Sequence, residues 1–130
     1  MTRILVIDDQ RIFKDREGAE IVHETTSDEG FITLVMEGPW DEVWLDHDLG
    51  MESSQNGYEM VMDVVEGLVD SAPLEIGRVY VHSMNPVGAD RMVAALRPFF
   101  DVVRIDPTPY LDFEAMYAEN RDPYFAGPRR

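Results

Sequence analysis

Three short apolar runs in this chain end in the same way, and that repetition narrows the folds open to it. Ile4-Leu5-Val6-Ile7 runs into Asp8-Asp9, Val43-Trp44-Leu45 into Asp46-His47-Asp48-Leu49-Gly50, and Val79-Tyr80-Val81 into His82-Ser83. Each run reads as a buried strand, and strands buried on both faces belong to parallel sheets covered by other elements. Open sheets of that kind place their ligands and chemistry at the carboxyl ends of the strands. Acid, imidazole and hydroxyl groups gathered at three such ends are poor devices for stability. They read as a site.

The intervening segments complete the pattern. Only about a dozen residues separate the first strand from the next candidate, Ala19 to Thr25, which is the lower limit for a helical crossover between parallel strands. A loop or a stub of helix is therefore expected there. Ser27-Asp28-Glu29 starts a helix with Phe31, Leu34 and Val35 at helical spacing, and Gly38-Pro39 ends it before the strand Asp41 to Asp46. Asn56 caps the clearest helix, in which Tyr58, Val61, Met62, Val65, Leu68 and Val69 share one face, and Ser71-Ala72-Pro73 closes it. After the strand Gly77 to His82, Asn85-Pro86 opens a helix whose core face is Met92, Val93 and Leu96, and Pro98 ends it. Asp101 to Ile105 is the last strand, and Tyr110, Phe113 and Tyr117 share a face of a short amphipathic stretch. Alternating strands and helices of these lengths predict an α/β fold, a flavodoxin-like or receiver-like five-stranded, mostly parallel sheet with helices on both faces and the first helix reduced or absent. Residues 1–120 are expected to form a single domain and 121–130 a disordered tail.

Composition excludes several classes. The chain has 130 residues, 45% of them hydrophobic, enough for one core, and no cysteine for disulfides or thiolate metal sites. No apolar run approaches the roughly 20 residues of a membrane span, and the N-terminus enters a strand without a signal-peptide pattern, so a cytoplasmic protein is expected. A formal net charge of −15 disfavours a long nucleic acid, whose phosphates require a basic surface. A small anionic ligand remains compatible if a metal, a helix end or a few arginines neutralise it locally. Lys14 is the single lysine.

Each polar cluster admits a plain and a chemical reading. Asp8 and Asp9 are either turn-forming acids or, with Asp46, ligands for Mg²⁺ or another divalent cation. Asp46-His47-Asp48 is either a capped turn with a surface histidine or a convergent group of acid and imidazole. Its Asp-x-Asp pattern also fits the haloacid-dehalogenase phosphatases, but these require a lysine downstream, where none exists. Asn85 before Pro86 is an N-cap, which would present free amides at the sheet's carboxyl edge as an anion site, with Gly88 letting a phosphate approach. His82 is either a buried, hydrogen-bonded imidazole or a chemical group, and His23, mid-strand without polar company, reads as structural. Arg11, Lys14 and Arg16 are either a solvated face or the cations that meet an anionic ligand. Trp40 and Trp44 read as packing residues.

The acidic pair, the Asp after the third strand and the hydroxyl after the fourth resemble response-regulator receiver domains over roughly residues 3 to 106. A receiver needs a lysine at the end of its fifth strand, where this chain has Ile105-Asp106-Pro107. Asp-His-Asp-Leu-Gly followed by Asn-Gly-Tyr, and later His-Ser-x-Asn-Pro-x-Gly, resemble more closely the cyclic-phosphate processing receiver-like domains of bacteria and their phages. That resemblance implies the receiver fold, a cyclic phosphate as substrate, and functional positions at Asp8, Asp9, Asp46, His47, Asp48, His82, Ser83 and Asn85.

The expected chemistry is the opening of a small cyclic phosphate, such as a nucleoside 2′,3′-cyclic phosphate. It requires a base for water, an acid for the leaving oxygen and donors for the pentavalent phosphorus. His47 and His82 would supply the first two from a solvent-facing edge, since imidazole titrates near neutrality. Asp48 would assist them, Ser83 and the amides after Asn85 would hold the oxygens, and Arg11 and Gly88 would contact the ligand. The alternative is a non-catalytic receiver-like module that docks a protein partner or sequesters a nucleotide.

Overall fold

The computed structural model describes residues 1–50, 53–70 and 74–120. Its elements are β1 (Thr2–Ile7), β2 (Ala19–Glu24), α1 (Ser27–Met36), β3 (Trp40–Leu45), α2 (Gly57–Asp70), β4 (Ile76–Val81), α3 (Pro86–Leu96), β5 (Val102–Arg104) and α4 (Phe113–Asn120). The strands form one sheet in the order β2-β1-β3-β4-β5, every neighbouring pair parallel. This is the receiver-like α/β fold expected from the sequence, with one correction. Helices were expected on both faces of the sheet, but α1, α2 and α3 all pack on one face, and the short β1–β2 connection leaves the other to a loop and aromatic rings. The expected end of the second helix at Ser71-Ala72-Pro73 and the expected tail 121–130 lie outside the described residues.

Local signals account for the helix starts. The Thr26 hydroxyl accepts from the Glu29 amide at 3.2 Å, one residue before the start expected at Ser27. Asn56 and Glu59 cap each other reciprocally, with Asn56 Oδ1 accepting from the Glu59 amide at 2.8 Å and Glu59 Oε1 from the Asn56 amide at 3.0 Å. Asn85 caps α3 with Pro86 in the first turn.

Alternation along the strands divides the interior in two. Leu5, Ile7, Val43, Leu45, Val79 and Val81 pack against Leu34 of α1, Met60, Val61 and Val64 of α2, and Met92, Val93 and Leu96 of α3. The opposite side chains, Ile4, Val6 and Trp44, meet Phe13, Ile21, Tyr80, Ile105 and Tyr110. That second face is covered by aromatic rings, with Trp44 5.3 Å from Phe13, 4.4 Å from Tyr80 and 5.0 Å from Tyr110 between centroids. No helix connects β1 to β2. The connecting loop instead crosses the sheet and is pinned by the pairing of Phe13 with Leu111 and by the Asp112 amide on the Ile12 carbonyl at 2.8 Å. Tyr110 belongs to a separate turn and packs on Trp44, whereas Phe113 and Tyr117 of α4 are 44% and 59% exposed, so the three aromatics expected on one face are split. Among the described residues, no helix is long and apolar enough to cross a membrane.

The entry to α2 is tight. A Cβ on Gly57 would lie 2.2 Å from the Asp46 carbonyl oxygen, whereas one on Gly67 in the same helix would meet nothing within 4 Å. Gly57→Ala should therefore cost about 1–3 kcal/mol through overpacking against rigid backbone. Gly67→Ala should be neutral or stabilising by up to about 1 kcal/mol through helix propensity. Urea midpoints of the two variants against wild type test the contrast.

Candidate functional site

The site forms where the parallel ladder runs past the formal strand ends. The Asp8 amide donates to the Glu24 carbonyl at 3.1 Å, the Asp46 amide to Ile7 at 3.2 Å and the His82 amide to Leu45 at 3.0 Å. Asp8, Asp46 and His82 therefore stand side by side, and alternation turns them to the same face as Val6, Trp44 and Tyr80. β1 lies between β2 and β3, so Asp8 and Asp46 follow the two strands at which the chain order reverses, where ligands bind in open sheets.

Asp8 is the centre of this group and is 0% exposed. Its Oδ1 accepts from the amides of Gln10 at 2.9 Å and Arg11 at 3.0 Å. Its Oδ2 accepts from the Arg11 guanidinium at 3.1 Å and from His82 Nε2 at 2.8 Å. Burial pushes the carboxyl up, but the His82 bond and the two amides outweigh it and lower the pKa to about 2. Asp46 Oδ1 accepts from the His47 amide at 2.8 Å, and its Oδ2 faces the same Arg11 guanidinium at 3.4 Å. Burial and the charge of Asp8 raise the pKa of Asp46. Asp9 is raised by the same two causes, and its Oδ1 is buried without a partner among the described residues.

Carboxylate oxygens of Asp8, Asp9 and Asp46 lie within 4.8 Å of one another. An all-oxygen set, two of its members held above their ordinary pKa and one buried oxygen unpaired, fits a hard divalent cation. Gly50 beside it adopts φ +75°, a conformation that favours glycine, and a Cβ there would also press on Asp9 Oδ2 at 2.6 Å.

The two histidines part company. His47 follows Asp46 by one residue and turns to the opposite face, under α3. Its Nδ1 lies 2.8 Å from Asp48 Oδ1 and 3.4 Å from Asn85 Nδ2. A carboxylate only accepts, so Nδ1 is the donor in the Asp48 contact, and Nε2 makes no hydrogen bond among the described residues. His82 keeps the face of Asp8, with its ring 5.5 Å from Phe13 and 6.0 Å from Trp44, and its Nδ1 has no partner among the described residues. Both rings were expected at a solvent-facing edge, yet His47 is 9% and His82 1% exposed. The reason is the ladder: it continues through Asp46 and His82, so the side chains still alternate where the chain was expected to turn and let them converge.

Three further expectations change. Gly88 was expected to admit a phosphate, but a Cβ there would lie 2.4 Å from the His47 ring, so the glycine makes room for the imidazole. The first turn of α3 was expected to offer several amides. Pro86 has none, Gly88 donates to Asn85 Oδ1 at 3.0 Å and Ala89 to the Asn85 carbonyl at 2.9 Å, which leaves Val87. His23 was expected to lack polar company, whereas its Nε2 donates to the Asp8 carbonyl at 2.7 Å. That contact follows from the pairing of β1 with β2, and no local motif announces it. Ser83 Oγ accepts from the Asn85 amide at 3.0 Å and keeps its own proton to donate. Ser83 and His82 line an open groove of about 600 Å³ with Met84, Arg104, Ile105 and Pro107.

These carboxyls set an acid profile. With its folded pKa at about 2 against an ordinary 3.8, Asp8 contributes stability that is complete above about pH 4 and lost as pH falls towards 2. The gap corresponds to about 2 kcal/mol. Asp9 and Asp46, raised instead, oppose folding when ionised, so stability should increase as pH falls from neutrality into their range. Urea unfolding in the presence of a chelator should show a maximum on the acid side of neutrality and a steep loss below pH 4. Asp9→Asn should flatten the rise. A monotonic fall from pH 7 would show that neither burial nor the charge of Asp8 raises Asp9 and Asp46.

A family model described as the cyclic-phosphate processing receiver domain matches residues 3–98, from β1 through α3. That span contains the acidic cluster, both histidines at the strand ends, Ser83 and Asn85. No curated protein matches the chain. Among solved structures, one similar chain is described as a yeast Spc42 trimeric coiled coil fused to another structure. It is 11% identical, with 91% of this chain and 77% of that chain covered at a TM-score of 0.47, a likeness too low to carry an argument. The chain belongs to the family of cyclic-phosphate processing receiver domains.

Proposed function

We propose that the protein opens a small cyclic phosphodiester, a nucleoside 2′,3′-cyclic phosphate or a close relative, by attack of water on phosphorus. The observation that supports this reading best is the His47–Asp48 pair. Asp48 orients the ring through Nδ1 at 2.8 Å and leaves Nε2 free for proton transfer, one residue along the chain from the acidic cluster. In the reaction, the oxygen of water forms the new P–O bond and one ester P–O bond breaks. Water loses one proton, and the departing ribose oxygen gains one. His47 Nε2 is suited to carry the first and to return it to the second. Ser83 Oγ and the Val87 amide are the remaining protein donors for phosphoryl oxygens. Mg²⁺ or another divalent cation held by Asp8, Asp9 and Asp46 would supply positive charge to the developing pentavalent centre. His82, expected as the second proton carrier, is better suited to positioning, since its Nε2 is committed to Asp8.

A non-catalytic binding module is the second reading, and one observation favours it. Burial of His82 and the use of the Gly88 and Ala89 amides within the cap leave few groups free to act on a ligand. On that reading the protein would sequester a nucleotide or dock a protein partner without turnover.

His47→Ala should lower turnover of a nucleoside 2′,3′-cyclic phosphate by roughly two to four orders of magnitude while the fold is retained, as judged by circular dichroism. Asp48→Asn should reduce the rate less and shift its pH profile. His82→Ala should lower stability first, because it strips a hydrogen bond from a buried carboxylate. His23→Ala should leave the rate nearly unchanged. If the metal-supplemented protein opens none of a panel of small cyclic phosphates, or if His47→Ala keeps full activity, the binding-module reading replaces the enzyme.

The protein should also fail as a phosphorelay receiver. β5 ends at Arg104, whose guanidinium pairs with Asp90 at 2.8 Å, and no lysine follows it to neutralise an acyl phosphate on Asp46. Incubation with acetyl phosphate or beryllofluoride, followed by mass spectrometry or NMR, should detect no stable adduct at Asp46.

A further inference from the structure

Asp8 has no free lone pair. An ionised carboxylate offers about four acceptor positions on its two oxygens. Here all are taken: two by the Gln10 and Arg11 amides, one by His82 Nε2 and one by the Arg11 guanidinium. Three of these donors are difficult to withdraw. The amides belong to the turn that Asp8 itself closes, and His82 is 1% exposed beneath Phe13 and Trp44. The guanidinium differs. It sits at the end of a flexible side chain that is 17% exposed, and the same Nη1 reaches both Asp8 at 3.1 Å and Asp46 at 3.4 Å.

We propose that Arg11 is a resident cation of the acidic cluster, competing with divalent metal for Asp8 and Asp46 and becoming available to an anionic ligand only after it is displaced. The inference rests on the proposed metal role of the three acids and concerns how that role is controlled. A divalent ion can use Asp8 as a ligand only if one of the four donors leaves, and Arg11 is the one that can. A guanidinium released there stays tethered beside the cluster, because the Arg11 main-chain amide still donates a hydrogen bond to Asp8 Oδ1 at 3.0 Å. Its planar donor fork suits phosphate oxygens. Metal and phosphate binding are then coupled: without metal the cation for phosphate is already spent on the two carboxylates, and with metal it is free. Coupling of this kind is reciprocal, so phosphate should also tighten metal binding.

Calorimetric titration of the full chain, stripped of metal with a chelator, tests this without reference to turnover. Wild type, Arg11→Gln and Arg11→Lys are titrated with Mg²⁺, then with inorganic phosphate in the presence and absence of Mg²⁺. Arg11→Gln should melt lower than wild type without metal yet bind Mg²⁺ roughly tenfold more tightly, the scale of one charge-assisted contact no longer lost. Arg11→Lys, which keeps the charge without the fork, should fall between them. Wild type should bind phosphate measurably only with Mg²⁺, and Arg11→Gln weakly in either condition. A folded Arg11→Gln that binds Mg²⁺ no more tightly than wild type would overturn the proposal, as would phosphate binding to wild type that ignores Mg²⁺. Should Arg11→Gln not fold without metal, the same comparison between wild type and Arg11→Lys decides. A tightened Mg²⁺ affinity with no turnover on any cyclic phosphate would leave the competition standing and remove only the enzyme reading.

Discussion

A buried carboxylate is tolerable only when its lone pairs are satisfied, and the arrangement around Asp8 follows from that requirement. Its two oxygens order the start of the β1–β2 loop through the Gln10 and Arg11 amides, orient His82 from two strands away and draw the Arg11 guanidinium over the sheet edge. Its carbonyl, through His23, adds a contact from β2. One aspartate thus joins β1, β2, β4 and the loop that stands where a crossover helix is missing. The low pKa of Asp8 and the raised values at Asp9 and Asp46 are two sides of this arrangement. Burial raises Asp9 and Asp46 most, and the donors that hold Asp8 ionised leave its charge to raise them further.

The absence of a helix between β1 and β2 has consequences for the site. A receiver-like sheet is helix-covered on the face of α1, α2 and α3, but here the other face is closed by a loop and a cluster of rings. Phe13 belongs to that loop and packs edge-on against both Trp44 and His82. The aromatic cover therefore buries the imidazole that serves Asp8. On the opposite face α3 approaches closely enough that Gly88 is needed to clear His47. The sheet divides the polar residues into two groups. Asp8, Asp46 and His82 lie on the aromatic side, and His47 with Asp48, Asn85 and Gly88 on the helical side. A ligand engaging both groups must sit across the end of the sheet, where consecutive residues such as Asp46 and His47 face opposite ways.

Much of this was legible in the sequence, for reasons that are local. Apolar runs that stop at acids and imidazoles mark strands and their carboxyl ends, and the short connection after β1 is too brief for a full crossover helix. Asn56 with Glu59 and Asn85 with Pro86 mark helix starts because a cap is satisfied by residues within one turn of it. The convergence of Asp8, Asp9 and Asp46 also followed, since it requires only that β1 and β3 be adjacent and parallel.

What the tertiary structure decided was which groups face each other and which remain free. The ladder's extension to Asp46 and His82 set the two histidines on opposite faces, and that depends on hydrogen bonds to Ile7 and Leu45, far away in the chain. The contact of His23 with Asp8, the reach of Arg11 from neighbouring Asp8 across to Asp46, and the use of Gly88 to clear His47 all join residues well separated in the chain. None has a motif, because each arises from strand register and from the distance at which a helix or loop packs over the sheet. The amino-acid sequence alone determined the sheet and the edge at which Asp8, Asp9 and Asp46 meet, since hydrophobic period and capping are properties of neighbours in the chain. The partners of polar atoms that meet across strands were decided only in three dimensions, because a hydrogen bond reaches about 3 Å and only strand register, with the packing of helix and loop over the sheet, brings such groups within that distance.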